Sequence, residues 1–188
     1  MDSFNKTCTK HPNQEKKLIV IDTETTGLFP YWDEILQLSI IDGSGNTLFN
    51  SYFKPKKRKR WPEAQRVNNI TPQMVADKPH ITDREIHDQI QSLLDSADVI
   101  VGFNVDFDIS FLLSAGFSVY QEEVDVMLEF AKVYGEWSDY FEDYKWQKLT
   151  TCARYYGYDW GAYGDTAHDS LADCRATLYC YKKIHNEE

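Results

Sequence analysis

Two carboxylates at the end of a short apolar run are the first side chains whose types and spacing could perform chemistry. Asp22 and Glu24 follow the apolar residues 18–21 and lie two positions apart, so on an extended backbone they project to the same side. Carboxylates placed side by side repel each other unless a proton or a cation lies between them. An isolated Asp-x-Glu most often just ends a strand, but open α/β sheets hold ligands at the carboxyl ends of their strands. The pair is therefore a candidate cation site.

Two later segments supply further acidic groups and one imidazole. Asp108 follows a second short apolar run and is expected about one turn into a helix, whereas Asp106 would point to a different face of that helix. Near the end of the chain, His168 and Asp173 lie five positions apart at the start of another helix. Asp169 between them is an alternative N-cap residue. Each segment alone is weak evidence for a site, because polar residues are common at helix starts.

Together these segments provide four separated carboxylates and an imidazole, a set that suits hard divalent cations. Oxygen ligands favour Mg²⁺ or Mn²⁺ over structural zinc. The segment that contains Cys8 and His11 offers only half the ligands of a zinc site. Four carboxylates gathered in one place indicate a two-metal site for phosphodiester hydrolysis.

The elements that must position these groups alternate between short buried strands and amphipathic helices. Continuous apolar runs predict strands buried on both faces, and a turn-rich link predicts a hairpin. Strands are expected at 18–21, 34–41, 47–53 and 99–101, with one more marked by Val124 and Val126. Helices are expected after a capping box at 82–85, over 105–115 and 127–134, and on the apolar faces that begin at Leu149 and Leu171. This order predicts an α/β fold with a central mixed sheet, an antiparallel hairpin plus parallel strands, flanked by helices.

Length and composition favour one folded domain. The chain has 188 residues, of which 42% are hydrophobic and 27% charged, and this mix excludes a mostly disordered protein. The polar residues 1–16 are expected to form a flexible N-terminal segment, which leaves 17–188 as a single domain. No apolar run is long enough for a transmembrane helix or a signal peptide, and the four cysteines lack CxxC spacing. We therefore expect a cytoplasmic protein with reduced thiols and no membrane partner.

The charge distribution is strongly uneven. The net charge is −10, yet six of the 20 basic residues lie within residues 54–60, and without them 14 basic side chains face 30 acidic ones. We name residues 54–60 the cationic run. Such a run can steer a polyanion on an otherwise acidic protein, although a solvated loop that protects a sheet edge has the same composition. The segment 135–146, in which five aromatic and four acidic residues alternate, is expected to be a local cover or a partner-facing loop rather than a stacking platform.

Three motifs in this order resemble the DEDDh, or DnaQ-like, 3′→5′ exonucleases. They are DTETTGL at 22–28, GFNVDFD at 102–108 and HDSLAD at 168–173, and the resemblance extends from about residue 17 to residue 184. This family includes the proofreading subunit of bacterial replicative polymerases, and it implies a ribonuclease H-like fold. Two positions depart from its usual pattern: Asn68 and Phe103 stand where the family often has histidine. Neither position is a metal ligand in the family, so the departures concern substrate preference.

The resemblance implies a role for each matching residue. Asp22 would bridge two divalent cations, Mg²⁺ or Mn²⁺, while Glu24 and Asp173 would hold one of them. Asp108 would serve the second cation. His168 would be the general base that takes a proton from the attacking water, a task that suits an imidazole.

Substrate contacts are expected around the first and second motifs and on the cationic run. The backbone near Thr25, Thr26 and Gly27 would hold the terminal sugar, and Leu28 would wedge against the terminal base. Phe107 or Phe111 would line the other side of that base, although core packing explains both aromatic residues almost as well. The remaining predicted contacts are Asn104, Lys56, Lys57 and Arg58.

The expected function is metal-dependent hydrolysis from the 3′ end of a nucleic acid, with release of nucleoside monophosphates. Single-stranded DNA is the favoured substrate and RNA the alternative, because metal ions and phosphates perform the same chemistry in both. A DNA polymerase or a repair protein is the expected protein partner. A catalytically silent binding module would not need to retain mutually repulsive carboxylates. An endonuclease of the same fold is disfavoured by the Thr-Gly-Leu segment and by His168.

Overall fold

A computed structural model describes residues 16–163 and 167–187 of the chain. The flexible segment expected at 1–16 therefore lies outside the described residues, except for Lys16, which forms an ion pair with Glu122. Within the described part of the chain, no helix is both long enough and apolar enough to cross a membrane.

A five-stranded mixed sheet forms the centre of the molecule. Its strands, in chain order, are β1 (Leu18–Thr25), β2 (Ile35–Asp42), β3 (Thr47–Tyr52), β4 (Val99–Gly102) and β5 (Glu122–Asp125). The spatial order is β3-β2-β1-β4-β5, with β1, β2 and β3 antiparallel and β4 and β5 added parallel to β1. The predicted mixed sheet, an antiparallel hairpin plus parallel strands, is confirmed.

Six α-helices, one 3₁₀-helix (Trp160–Tyr163) and a small hairpin complete the described part of the fold. The helices are α1 (Pro62–Asn68), α2 (Arg84–Asp95), α3 (Val105–Ser114), α4 (Val126–Tyr134), α5 (Leu149–Tyr156) and α6 (Ser170–His185). Two short strands, β6 (Trp137–Ser138) and β7 (Asp143–Tyr144), pair with each other between α4 and α5. Gly116 has a φ of +96° just after α3, as expected for the residue that follows a helix C-cap.

The alternation of side chains along β1 divides the core into two layers. Ile19 and Ile21 pack with residues of α2 and α3 on one face of the sheet, whereas Val20 packs with residues of α5 and α6 on the other. Because side chains in a strand alternate with period two, Asp22 and Glu24 continue the face of Val20, which α6 covers. The fold thereby directs the acidic pair towards the helix that begins near His168.

Several local predictions were wrong. Strand β1 does not end before the acidic pair but continues through it to Thr25. The capping box at 82–85 does not form, because α2 begins after Asp83 and no side chain caps its start. Val126 belongs to the first turn of α4 rather than to a strand, and the Asp125 side chain caps that helix. Helix α1 and the hairpin of β6 and β7 were not predicted, since neither has a sustained apolar period.

Candidate active site

Strand β2 positions the acidic pair of β1 relative to helix α6. Asp22 and Glu24 lie opposite Ser39 and Gln37 of β2 in the sheet register. The Ser39 hydroxyl lies 2.7 Å from the Ser170 hydroxyl, and the Gln37 amide donates to the Asp169 carboxylate at 3.1 Å. The residues opposite the acidic pair thus hold the first turn of α6 against the sheet. This attachment explains why α6, which begins 145 positions after the end of β1, lies beside the β1 carboxylates.

The alternative reading of Asp169 as an N-cap residue is confirmed. Its Oδ1 accepts hydrogen bonds from the backbone amides of Leu171 and Ala172, at 3.2 and 3.3 Å. Asp169 therefore caps the helix, while Asp173 lies one turn further along α6 and belongs to the site. The Asp173 Oδ2 atom accepts a hydrogen bond from the His168 backbone amide at 3.3 Å.

Three predicted site residues lie close enough to share one ion. Glu24, His168 and Asp173 each offer one ligand atom, and these atoms all lie within 4.8 Å of one another. His168 is exposed and has a φ of 68°, a left-handed conformation that is uncommon for residues other than glycine. That backbone bend immediately precedes the Asp169 cap, so the imidazole is positioned by the start of α6.

Asp108 enters the site from the other layer of the fold. It lies one turn into α3, is only 3% exposed, and its Oδ1 accepts hydrogen bonds from the backbone amide and the hydroxyl of Thr23, at 2.8 and 2.6 Å. Thr23 lies between the two acidic residues of β1, so this double contact fixes Asp108 beside them. Asp106, in contrast, is exposed on a different face of α3, as predicted.

Burial and mutual repulsion raise the pKa values of the clustered carboxyl groups. The pKa of Asp22 is raised well above its ordinary value, and burial is the largest cause. The pKa is raised further by the charges of four neighbours, Asp108, Asp173, Glu24 and Asp169. Burial, followed by the charge of Asp173, raises the pKa of Glu24 to about 8. Burial raises the pKa of Asp108 to about 7 even though its hydrogen bonds from Thr23 act in the opposite direction.

The donor set suits hard divalent cations. The carboxylates raise one another's pKa values because no positive charge of the described residues lies between them. A divalent cation would supply that charge. The ligand atoms are carboxylate oxygens with one imidazole nitrogen, and no thiol of the three described cysteines is among them. Mg²⁺ and Mn²⁺ fit such a set better than zinc held by cysteines.

A groove of about 270 Å³ adjoins the acidic cluster. Its lining includes Glu24, Thr25, Gly27, Leu28 and Phe107, together with residues of α1. Leu28 is 73% exposed, so its side chain is available to contact a ligand. Thr26 is not among the lining residues. Its hydroxyl is buried and donates to the Asp33 carboxylate at 3.2 Å.

The turn after β1 is shaped by Asp33. This carboxylate also accepts a hydrogen bond from the backbone amide of Phe29 at 3.1 Å. A Cβ atom at Gly27 would lie 2.4 Å from the Asp33 Oδ2 atom, so only glycine allows this close approach. The Thr25 hydroxyl donates to the Gly27 carbonyl at 2.6 Å and closes the turn from the other side.

The other predicted substrate residues lie in different surroundings. Phe111 is 2% exposed, belongs to the main core and is absent from the lining of this groove, so the prediction that it lines the base is wrong. Its neighbour Phe107, at 4.9 Å between ring centroids, is the one that reaches the groove. Asn104 is exposed at the start of α3 with a φ of 67°, and its backbone amide donates to Asp125.

The cationic run is exposed but anchored through its backbone. The amides of Lys56, Lys57 and Arg58 all donate to the Glu34 carboxylate, at 2.7 to 2.9 Å. The Arg58 guanidinium contacts the Asp33 carboxylate at 3.1 Å, so this side chain has a structural partner. The lysine side chains of the run remain exposed.

Several residues that shape the site were not predicted from the sequence. Asn68 is buried at the end of α1, donates to the Thr25 carbonyl at 3.2 Å, and lowers the pKa of Glu24 by hydrogen bonding. The sequence signal that could have identified Asn68 is its position in a segment that resembles one of the exonuclease family. Thr23 and Gln37 carried no signal, because their partners Asp108 and Asp169 are distant in the chain.

Comparisons with known proteins identify the family. A model of the RNase T exonuclease family matches residues 19–181. The uncharacterized exonuclease CP81 of Escherichia phage 186 is 33% identical over 175 residues, which cover 87% of this chain and 86% of that protein. The DNA polymerase III subunit epsilon of Pasteurella multocida is 31% identical over 109 residues, 53% of this chain and 42% of that protein.

Solved structures confirm the fold. Exonuclease X in complex with 5′-overhanging duplex DNA has a TM-score of 0.67 and 24% identity, with 90% of this chain and 91% of that chain covered. E. coli exonuclease I in complex with a dA16 oligonucleotide has a TM-score of 0.72 and 21% identity, with 92% of this chain but only 42% of that chain covered. The predicted ribonuclease H-like architecture is thus confirmed. The chain belongs to the RNase T family of exonucleases, the DnaQ-like group that its three motifs resemble.

Proposed function

We propose that this exonuclease removes nucleoside monophosphates from the 3′ end of single-stranded nucleic acid, with DNA as the preferred substrate and two divalent cations as cofactors. The observation that carries the proposal is the convergence of Glu24, His168 and Asp173, whose ligand atoms lie within 4.8 Å of one another beside Asp22 and Asp108. This set combines metal ligands with a group able to accept a proton.

The four carboxylates would hold the cations. Asp22 interacts electrostatically with the other three, which is the arrangement expected of a bridging ligand. Glu24 and Asp173 would share one ion and Asp108 would contribute to the other, as in the family's motif. Two ions held in this way would stabilise the entering and leaving oxygens of the attacked phosphate. Thr23 orients Asp108 through its two hydrogen bonds, and Asn68 orients the Glu24 end of the groove.

His168 is the proposed general base. It lies within reach of the cluster and is exposed, so a water molecule and a substrate phosphate both have access to its ring. The hydrogen bond from its backbone to Asp173 and the cap formed by Asp169 position the ring without using either ring nitrogen. A positioned imidazole contributes about 10²–10⁴-fold to the rate of such a proton transfer.

The groove would receive the terminal nucleotide. The rigid turn around Gly27 offers backbone groups to the sugar, while Leu28 and Phe107 offer apolar surface to the base. A base can enter between apolar side chains only when it is unpaired, which favours a single-stranded 3′ end. The epsilon subunit among the relatives belongs to a DNA polymerase, and this supports DNA as the substrate and a polymerase as a protein partner. A cytoplasmic location stays a prediction.

An end-labelled oligonucleotide assay tests the proposal. Single-stranded DNA and RNA of one sequence, labelled at the 5′ end, are incubated with Mg²⁺, with Mn²⁺ or with EDTA. We expect a ladder that shortens from the 3′ end, faster with DNA, and no products in EDTA. Asp22→Asn should abolish the ladder, whereas Asp106→Asn, a matched change of an exposed carboxylate, should not. Internal cuts, or a ladder of equal rate in EDTA, would contradict the proposed reaction.

A further inference from the structure

Three large aromatic side chains stand exposed on the turn between β1 and β2. Phe29, Tyr31 and Trp32 are 66%, 75% and 64% exposed. We name these three residues the aromatic platform. Tyr31 and Trp32 contact each other edge to face, with ring centroids 4.9 Å apart. Neighbouring exposed aromatic rings that form one apolar patch are candidates for a binding surface.

The aromatic platform is built on a rigid turn. The Phe29 carbonyl accepts hydrogen bonds from the backbone amides of Trp32 and Asp33, at 2.9 and 2.8 Å. The Asp33 side chain holds the Phe29 amide, and the Ser114 hydroxyl of α3 donates to the Pro30 carbonyl at 2.6 Å. A turn held at both ends presents its aromatic rings at little cost in conformational entropy, which favours stacking of a ligand.

The cationic run lies directly against the aromatic platform. The Arg58 side chain donates to the Trp32 carbonyl at 3.3 Å and pairs with Asp33. Glu34, two residues after Trp32, binds the backbone amides of Lys56 and Lys57. These contacts use the backbone of the run and the side chain of Arg58, so the exposed side chains of Lys56, Lys57 and Lys59 are available for a ligand.

Charge and continuity identify the occupant. Outside the cationic run the chain has 14 basic and 30 acidic side chains, so a polyanion is repelled by most of the surface and attracted at this run. Leu28, which lines the groove beside the acidic cluster, immediately precedes Phe29 of the platform. A strand whose 3′ end lies in the groove would therefore pass Leu28 to reach the platform and the run.

We propose that the aromatic platform and the cationic run together bind the single-stranded part of the substrate upstream of its 3′ end. Unpaired bases stack on Tyr31 and Trp32, while Lys56, Lys57 and Lys59 contact the phosphates of the same stretch. Base pairing in a duplex buries the faces that such stacking uses, so the site selects single strands. The inference rests on the proposed exonuclease function for the position of the 3′ end. Stacking and phosphate contacts are common to DNA and RNA, so this site does not distinguish them.

Two sets of substitutions test the proposal. The double variant Tyr31→Ala/Trp32→Ala removes the rings, and the triple variant Lys56→Ser/Lys57→Ser/Lys59→Ser removes charge while retaining the amides bound by Glu34. The matched controls are Tyr120→Ala, an exposed tyrosine, and Lys132→Ser, an exposed lysine on α4. Arg58 is left intact because it pairs with Asp33. Thermal melting of every variant checks that the fold is retained.

Hydrolysis and binding are measured on a thymidine or uridine oligonucleotide of about 20 nucleotides, and on the corresponding dinucleotides. In the double variant, kcat/KM for the long substrates should fall about tenfold, because the contacts of one or two stacked bases are lost. For the dinucleotides, kcat/KM should change less than about twofold. For the triple variant, the slope of log Kd against log salt should decrease by about 1.4 to 2.1, since each neutralised phosphate of a single strand adds roughly 0.7.

The outcomes separate this inference from the proposed function. If the wild-type protein hydrolyses neither substrate, the proposed function fails, and binding of the long oligonucleotides still tests the platform and the run. If the wild type is active but both variants keep its affinity and salt slope on long substrates, the inference is overturned. An equal loss on the dinucleotides would also overturn it, because the damage would then lie in the groove.

Discussion

Replacing Glu24 with glutamine should stabilise the protein in the absence of divalent cations while it abolishes metal-dependent activity. Burial and the charge of Asp173 raise the pKa of Glu24 from 4.5 to about 8. One pKa unit corresponds to about 1.4 kcal/mol. At pH 7 the group is ionised in the unfolded chain but still protonated in the folded protein, and this difference lowers the free energy of unfolding by about 3 kcal/mol. Because this cost is shared with Asp22 and the other carboxylates, we expect the free energy of unfolding to rise by about 1–3 kcal/mol in Glu24→Gln.

The pH dependence of this gain follows from the sign of the shift. A carboxyl group whose folded pKa is raised binds its proton more tightly in the folded state, so its ionisation destabilises the fold as pH rises above the unfolded pKa. The gain of Glu24→Gln should therefore be small near pH 4.5, grow steadily, and level off above pH 8.

Thermal melting in EDTA provides the assay. In a chain of this length, a gain of 1–3 kcal/mol corresponds to a rise in Tm of about 2–12 °C near pH 8, with a much smaller rise near pH 5. Adding Mg²⁺ should raise the Tm of the wild type more than that of Glu24→Gln, because a ligand is lost. Asp106→Asn, which removes an exposed carboxylate, is the control and should change little. A Tm at or below that of the wild type in EDTA at pH 8, or the same gain at pH 5, would refute the reasoning.

Further substitutions should separate catalysis from folding. Asp22→Asn should abolish turnover and leave the Tm in EDTA unchanged or higher, because the neighbouring carboxylates are relieved of repulsion. Hydrolysis near the wild-type rate would contradict the assignment of Asp22 to the active site. His168→Ala should lower kcat by about 10²–10⁴-fold and flatten the acid limb of the pH–rate profile; an acid limb of unchanged shape would assign the base to another group. Gly27→Ala should lower the free energy of unfolding by about 1–3 kcal/mol, because its Cβ would displace the Asp33 carboxylate. In a double-mutant cycle with Asp33→Ala, the two losses of stability should therefore be coupled. If the two losses simply add, the displacement of Asp33 is not the cause.

Local patterns in the amino-acid sequence were sufficient to predict much of the fold. Short apolar runs predicted the buried strands β1 and β4, because continuous burial favours continuous apolar sequence. The β-rich segments on either side of a turn-rich link predicted β2 and β3. Local spacing also placed Asp108 one turn into α3 and identified Asp169 as a candidate cap. Elements without a sustained apolar period, namely α1 and the hairpin of β6 and β7, carried no comparable signal.

Tertiary contacts decided how the candidate residues are surrounded. Phe107 and Phe111 are equivalent by helical spacing, yet Phe107 lines the groove whereas Phe111, one turn further along α3, is buried in the core. By sequence Arg58 is one more cation of the run, but its contact with Asp33 gives it a structural partner.

The amino-acid sequence by itself determined which residue types were available for metal chemistry and on which elements they lie. Asp22 and Glu24 share a face because a strand alternates with period two, a property that needs no distant partner. Only the tertiary structure brought Glu24 together with His168 and Asp173, through contacts of Gln37 and Ser39 with the start of α6. It also raised the pKa values of the acidic cluster, because burial and repulsion depend on which charges meet in space.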